Sequence, residues 1–203
     1  MILEVNWEMN NKIKVAFLDR DGTIVKEYDD EGWINRTEPE ILNGSVEALR
    51  QMNDLGYQII IITNQGLINQ GLIKLEEYNK FNDNLLKVLK KNQIEILDIF
   101  CCPHTKDENC ECKKPKPGMI LKACEKYNID MDKSFVCGDT CNDEGIAEYF
   151  GLKFFGVNYT SKNKKNIKIN NLLDIIPHIK ELDSLLQMKN MINYRWDRHG
   201  RDI

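Results

Sequence analysis

The stretch KVAFLDRDGTIV, Lys14 to Val25, decides how this chain folds. Its apolar run Val15, Ala16, Phe17 and Leu18 shows no alternation, which predicts a strand covered on both faces at the centre of a parallel sheet. The run stops at Asp19. Asp21 follows with one residue between them, then Gly22, which permits a sharp turn, and Thr23. Two carboxylates about 4 Å apart repel by roughly 4 kcal/mol at an effective dielectric near 20, so the pair calls for a cation, a shared proton or water. A divalent metal is the obvious partner. An isolated Asp-x-Asp-Gly is also an ordinary exposed turn after a strand, so other segments must decide.

Two further segments end in the same way. YQIIIIT, Tyr57 to Thr63, reads as a second buried strand that finishes in Thr63, Asn64, Gln65 and Gly66, where a hydroxyl and backbone N–H groups suit a phosphate oxygen. Ser134 to Cys137 is a third, followed by Gly138, Asp139, Thr140, Cys141, Asn142 and Asp143. Three strands finishing in Asp19, Thr63 and Asp139 are what an open parallel sheet presents when its ligand sits outside the carboxyl ends of its strands.

Between them lies CCPHTKDENCECKKPKPGM, Cys101 to Met119. Cys102 and His104 are one residue apart, as are Cys110 and Cys112. Three thiolates and an imidazole make a closed tetrahedral zinc set with no open position, hence a structural metal. Zinc binding of about 10–16 kcal/mol is comparable with a domain's whole stability of about 5–15 kcal/mol, enough to order the loop. The alternatives are free thiols beside a surface histidine, or Cys101 as a ligand, although strand alternation turns Cys101 away from Cys102. Lys113, Lys114 and Lys116 follow on a segment stiffened by Pro115 and Pro117, either as solvated lysines or as cations delivered to a site.

The 203 residues are 42% hydrophobic and 30% charged, which supports a single domain with one good core. A formal charge of −4 counts against a general nucleic-acid binder. No secretory signal or membrane-length apolar run is visible, so a cytoplasmic location, reduced cysteines and no membrane partner are expected.

In chain order, residues 1–12 form a polar lead-in whose Val5 and Trp7 could pack on the body, and Lys26 to Glu40 reads as a loop over the site. Helices are expected over Ser45 to Leu55, Lys74 to Lys91, Gly118 to Tyr127 with Ile120, Leu121 and Cys124 inward, and Glu144 to Phe150. Ile96 to Cys101 and a final Leu152 to Val157 read as strands. The core then spans about 13–160, with a polar linker over Thr160 to Asn170, an amphipathic helix over Leu172 to Ile192 within a C-terminal segment of 161–193, and a frayed tail over 194–203 holding Arg195, Arg198, His199 and Arg201.

Together, Asp19 to Thr23, Thr63 to Gln65, Cys110 to Met119 and Gly138 to Asp143 resemble the haloacid dehalogenase superfamily of phosphohydrolases. The resemblance covers most of Lys14 to Val157. The zinc loop points to its capless branch, which includes heptose bisphosphate and histidinol-phosphate phosphatases. The resemblance implies an α/β Rossmann-like three-layer sandwich with a central parallel sheet and a zinc-bound loop in place of a cap. It implies Asp19 as nucleophile, Asp21 as general acid and base, and Thr63 and Lys114 on the phosphoryl oxygens. Asn64, Gln65, Lys113 and Thr140 would bind substrate. Mg²⁺ would be held by Asp19, Asp21 through its carbonyl, and Asp139, with Asp143 orienting the lysine or the metal's water. The expected substrate is a small phosphorylated sugar, foremost the 7-phosphate of D-glycero-D-manno-heptose 1,7-bisphosphate in surface-glycan biosynthesis, and the expected state a monomer. Histidinol phosphate, a nucleic-acid 3′-phosphate and a non-catalytic zinc-stabilised binding module are the alternatives. Thr140 stands where the heptose enzymes carry a lysine, and the short His104 to Cys110 interval looks more like the histidinol branch.

Overall fold

The computed structural model describes residues 12–185 and 188 of the chain. Six strands, β1 (Val15–Leu18), β2 (Gln58–Asn64), β3 (Asp98–Cys102), β4 (Phe135–Gly138), β5 (Lys153–Val157) and β6 (Ile167–Ile169), form one parallel sheet in the order β3-β2-β1-β4-β5-β6. Every residue of β1 is buried, because helices cover both sides of it. Alternation then sorts the strand side chains between the two faces. Ala16, Leu18, Ile59 and Ile61 meet α2 (Ser45–Asp54), α3 (Leu75–Lys91) and α6 (175–185). Val15, Phe17, Ile60 and Ile62 meet α4 (Gly118–Lys126) and α5 (Cys141–Phe150). The result is a three-layer α/β sandwich.

Strand order reverses its direction of winding at β1, which pairs with β2 through Leu18 and Ile61 and with β4 through Leu18 and Cys137. At such a switch point the loops leaving neighbouring strands part and open a crevice at their carboxyl ends. Asp19, Thr63 and Asp139 all lie at that edge. Residues 19–44 carry the four-residue α1 (Asp30–Trp33) and the isolated bridges Asp21–Val25 and Val25–Ile41, so this stretch holds no inserted domain.

Local chemistry sets the helix ends. The first turn of α3 carries Glu76 and Glu77 and its last turn Lys90 and Lys91, each sign opposing the helix dipole. Thr140 and Asp143 form a reciprocal capping box on α5.

Several expectations are corrected. The linker read over Thr160 to Asn170 contains β6, a three-residue edge strand that pairs Phe155 with Ile167, so Val157 does not end the sheet. β3 starts two residues and ends one residue later than expected, and α5 begins at Cys141, extended by its capping box. On α4 the buried side chains are Met119, Ile120 and Ala123, while Leu121 and Cys124 face outward. The segment MILKAC is apolar around too much of its circumference for periodicity to set its phase, and docking on β1 and β4 sets it instead. Val5, Trp7, residues 186–187 and 189–192 of the expected helix and the arginine-rich tail lie outside the described residues.

The α6 helix is pinned across the sheet's amino end. Lys14 Nζ donates to Asp183 at 2.6 Å, and the Tyr57 hydroxyl donates to the same carboxylate at 3.1 Å. Lys14 and Asp183 are half-buried and Tyr57 is buried, so Asp183→Ala should cost about 1–3 kcal/mol and lower the melting temperature by about 3–8 °C with turnover intact. Calorimetry alongside an activity assay checks this, and lost activity at unchanged stability would contradict it.

Candidate active site

Asp19 leaves β1 on the face that carries α4 and α5, and its neighbours there are charged. Lys114 Nζ donates to Asp19 Oδ1 and Asp143 Oδ1, each at 2.6 Å, and to the Ile62 carbonyl at 2.8 Å. These three acceptors match the three ammonium hydrogens. Lys114 is 4% exposed and Asp143 is fully buried, so the ion pairs are shielded from water and salt. Burial alone would pull the Lys114 ammonium down, but Asp143 and Asp19 outweigh it and carry it above its ordinary value. Burial pushes the Asp19 carboxyl well above the carboxylate range against the pull of Lys114, with Asp143 and Asp21 adding to the rise.

The loop places Lys114 by several independent restraints. The Asn64 side chain clasps its backbone, accepting from Lys114 N at 2.9 Å and donating to Lys114 O at 3.2 Å. A methyl group on Gly145 would lie 2.6 Å from Pro115 Cβ, so only glycine lets α5 approach the loop this closely. Lys113 Nζ donates to the His104 carbonyl at 3.0 Å and braces the same loop.

Cys102, His104, Cys110 and Cys112 converge as expected. Their sulfurs lie 3.3–3.6 Å apart, and His104 Nδ1 lies 3.5 Å from Cys102 and 3.2 Å from Cys112. A tetrahedron with bonds of about 2.3 Å has edges of about 3.8 Å, so the four atoms fit round one small cation. Cys101 turns to the opposite face, beside Tyr78, and is excluded from the set.

Asp139 completes the acidic side. With Asp19 and Asp143 it offers ligand atoms within 4.8 Å of one another. Its Oδ1 is buried without a hydrogen-bond partner, an arrangement that costs free energy unless a cation meets it. Burial, then Asp143, then Glu27 push the Asp139 carboxyl up to about 7. Gly22 lies against it with φ +78°, and a Cβ there would fall 2.0 Å from Asp139 Oδ2.

Asp21 has the opposite surroundings. Its carboxylate accepts from Arg20 Nε at 2.8 Å and Nη2 at 3.0 Å, from Gln65 Nε2 at 2.5 Å and from Thr63 Oγ1 at 3.4 Å. The structure thus brings Asp19, Asp21, Thr63, Lys114, Asp139 and Asp143 together. It turns Asn64, Gln65 and Lys113 towards bracing contacts, and the Thr140 hydroxyl donates to Asp143 Oδ2 at 2.6 Å as a helix cap. Sequence reasoning missed Arg20, which continues the Ala16, Leu18 face of β1, and Glu27 on the rim. Partial burial and the charges of Asp21 and Asp143 push the Glu27 carboxyl upward.

A family model described as polynucleotide kinase 3 phosphatase matches residues 14–175. A D-glycero-alpha-D-manno-heptose-1,7-bisphosphate 7-phosphatase of Photorhabdus laumondii is 42% identical over 151 residues, 70% of this chain and 81% of that protein. A D-glycero-beta-D-manno-heptose-1,7-bisphosphate 7-phosphatase of Helicobacter pylori is 35% identical over 180 residues, covering 88% and 92%. Among solved structures, a D,D-heptose 1,7-bisphosphate phosphatase from B. bronchiseptica complexed with magnesium and phosphate superposes with a TM-score of 0.76. It covers 83% of this chain and 99% of its own at 23% identity, a likeness of fold.

Two outcomes follow from this geometry. In metal-free protein Asp139 holds its proton in the folded state up to about pH 7 and releases it near pH 4 when unfolded. The folded state therefore binds more protons between those values, and stability falls as pH rises through that window. Asp139→Asn should flatten this fall, raise the metal-free melting temperature at pH 7 and abolish turnover; a lower melting temperature would contradict the assignment. Elemental analysis should find a metal at this four-ligand set and less of it in Cys110→Ser, which should also reduce turnover at least about tenfold through Lys114.

Proposed function

The chain belongs to the polynucleotide kinase 3 phosphatase family of haloacid-dehalogenase-like hydrolases, and from that premise we propose that this phosphatase acts through an aspartyl-phosphate on a heptose bisphosphate. The supporting observation is the buried Lys114 held between Asp19 and Asp143 beside the unpartnered Asp139 oxygen. A binding module has no need of a nucleophile, a proton carrier and a buried cation in one register.

Asp19, Asp139 and the carbonyl of Asp21 would hold Mg²⁺, which when bound neutralises carboxylate and phosphate charge. Asp19 and Asp139, which converge with Asp143, offer only oxygen, as a hard cation prefers, and Asp139 Oδ1 lacks any other partner. Cys102, His104, Cys110 and Cys112 would hold a structural Zn²⁺, a set that suits its softer ligand preference.

The protein's own groups then divide the work. Lys114 orients the Asp19 carboxylate and offsets its charge as it approaches the phosphorus. The Asp19 oxygen forms the new P–O bond while the bond to the sugar oxygen breaks, and Asp21 gives that oxygen its proton. In the second half Asp21 takes a proton from water, whose oxygen displaces Asp19 and releases phosphate. Thr63 lies on the same edge, where its hydroxyl and nearby N–H groups can meet the transferring oxygens.

The 7-phosphate of D-glycero-D-manno-heptose 1,7-bisphosphate is the favoured substrate, because the relatives that cover most of this chain carry that activity in their names. Thr140, spent on capping α5, supplies no cation for a second phosphate. The test is phosphate release with Mg²⁺ from the α- and β-anomers, histidinol phosphate and a 3′-phosphorylated oligonucleotide, with Asp19→Asn as the blank. Asp19-dependent turnover of one heptose anomer, at least about tenfold above the other substrates in kcat/KM, is expected. Preference for histidinol phosphate or the oligonucleotide would overturn the substrate assignment, and Asp19-independent turnover would overturn the mechanism.

A further inference from the structure

Arg20 is the largest fully buried side chain, 1% exposed, and the chemistry above gives it no role. It points away from Asp19, to the face of the sheet that carries α3. Its guanidinium grips Asp21 with Nε and Nη2 and sends Nη1 to Asn82 Oδ1 at 2.9 Å. Three aromatic rings surround it. The Phe81 ring centre lies 4.7 Å from Cζ, and those of Trp33 and Tyr78 lie 5.4 Å away, distances at which ring faces attract a cation.

The cage is not a ligand pocket. The cavity beside it, lined by Arg20, Trp33, Gln65 and Tyr78 among others, holds about 10 Å³, room for at most one water. The arrangement therefore serves an internal partner, and the partner within reach is Asp21. A planar fork fixed at one end by Asn82 and stacked among aromatics can meet a carboxylate in one plane only, which fixes the Asp21 rotamer. That rotamer sets Oδ2 3.4 Å from Thr63 Oγ1, at the edge where the phosphoryl group would sit.

We propose that Arg20 is the positioning residue for Asp21, holding its carboxylate at the leaving-group side of the site from within an aromatic cage built by α1 and α3. Trp33 also packs edge-on against Phe81 at 5.4 Å and against Tyr28 at 5.3 Å. The loop bordering the site is thereby linked to the orientation of the proton carrier.

The proposal rests on the reading of Asp21 as proton carrier, and the experiment separates the two. An alkyl phosphate needs its leaving oxygen protonated, whereas p-nitrophenyl phosphate expels a stable phenolate without help. Arg20→Met should lower kcat/KM for the heptose or another alkyl phosphate about 10²-fold, near the usual worth of a positioned acid. It should lower kcat/KM for the aryl ester less than about fivefold; KM should stay within about twofold on the alkyl phosphate, whereas on the aryl ester steady-state kcat and KM should fall together because breakdown of the intermediate limits turnover. On the aryl ester a burst of phenolate should precede slow steady-state turnover, since Asp21 is then misplaced for activating water. Arg20→Lys, which cannot reproduce the fork, should not restore the alkyl rate. Should Arg20→Met fail to fold, Asn82→Leu decides: it keeps the guanidinium, frees its far end and should show the same split at about three- to tenfold. Equal losses on both esters, or losses confined to KM, would overturn the proposal. Asp21→Ala serves as reference, and absence of the split there would overturn the role of Asp21 and the proposal with it.

Discussion

The ammonium of Lys114, buried between Asp19 and Asp143, is the interaction on which the rest of the structure depends. Each of its three partners comes from a different part of the chain: the end of β1, the first turn of α5, and β2 through the Ile62 carbonyl. Removing an ion pair from water carries a desolvation penalty of several kcal/mol per ion, so such a pair stabilises little by itself. Its effect is to specify geometry. Asp19, the proposed nucleophile, is aimed by a cation that cannot move without vacating all three acceptors.

Holding a lysine so rigidly on a loop requires that the loop behave like a secondary element. The proposed zinc set of Cys102, His104, Cys110 and Cys112 would supply one anchor, and the Asn64 side chain supplies another by pairing with both backbone groups of Lys114, as a neighbouring strand would. Gly145 supplies a third by letting α5 close on Pro115. A proposed zinc ion here has a mechanical role: it fixes the far end of a short lever whose near end is the lysine. Metal binding at one site and charge at the other would thereby be coupled through the two-residue step from Cys112 to Lys114.

The sheet and most of the site were legible in the sequence because unalternating apolar runs end abruptly in Asp19, Thr63 and Asp139. The pairing of Cys102 with His104 and of Cys110 with Cys112 was legible from spacing alone. Less legible was anything decided by docking. β6 has three residues and gains its strand character from the edge of β5, not from its own pattern. The inward face of α4 was misjudged by one position because Leu121 and Cys124 are as apolar as Ala123 and only packing chooses among them. Thr140, Gln65 and Lys113 look like ligand groups in a sequence, and the structure shows each engaged with a neighbour. Arg20 could have been found: alternation along β1 puts it on the face of Ala16 and Leu18, where an arginine must find a carboxylate.

The paired acids of the opening stretch occupy contrasting environments, and this contrast separates their proposed roles. Asp19 faces one cation and two further carboxylates, with Asp139 Oδ1 left unpartnered, so its side of the site is rich in negative charge. Such a site suits the proposed divalent cation and, through it, a phosphate that these three carboxylates would otherwise repel. Asp21 instead meets donors alone, from Arg20, Gln65 and Thr63, and it borders an aromatic cage. Two carboxyl groups two residues apart can divide nucleophilic and proton-transfer work only if their surroundings differ this much. The alternation of a single buried strand achieves this by sending Asp19 to the lysine face and Arg20 to the aromatic one.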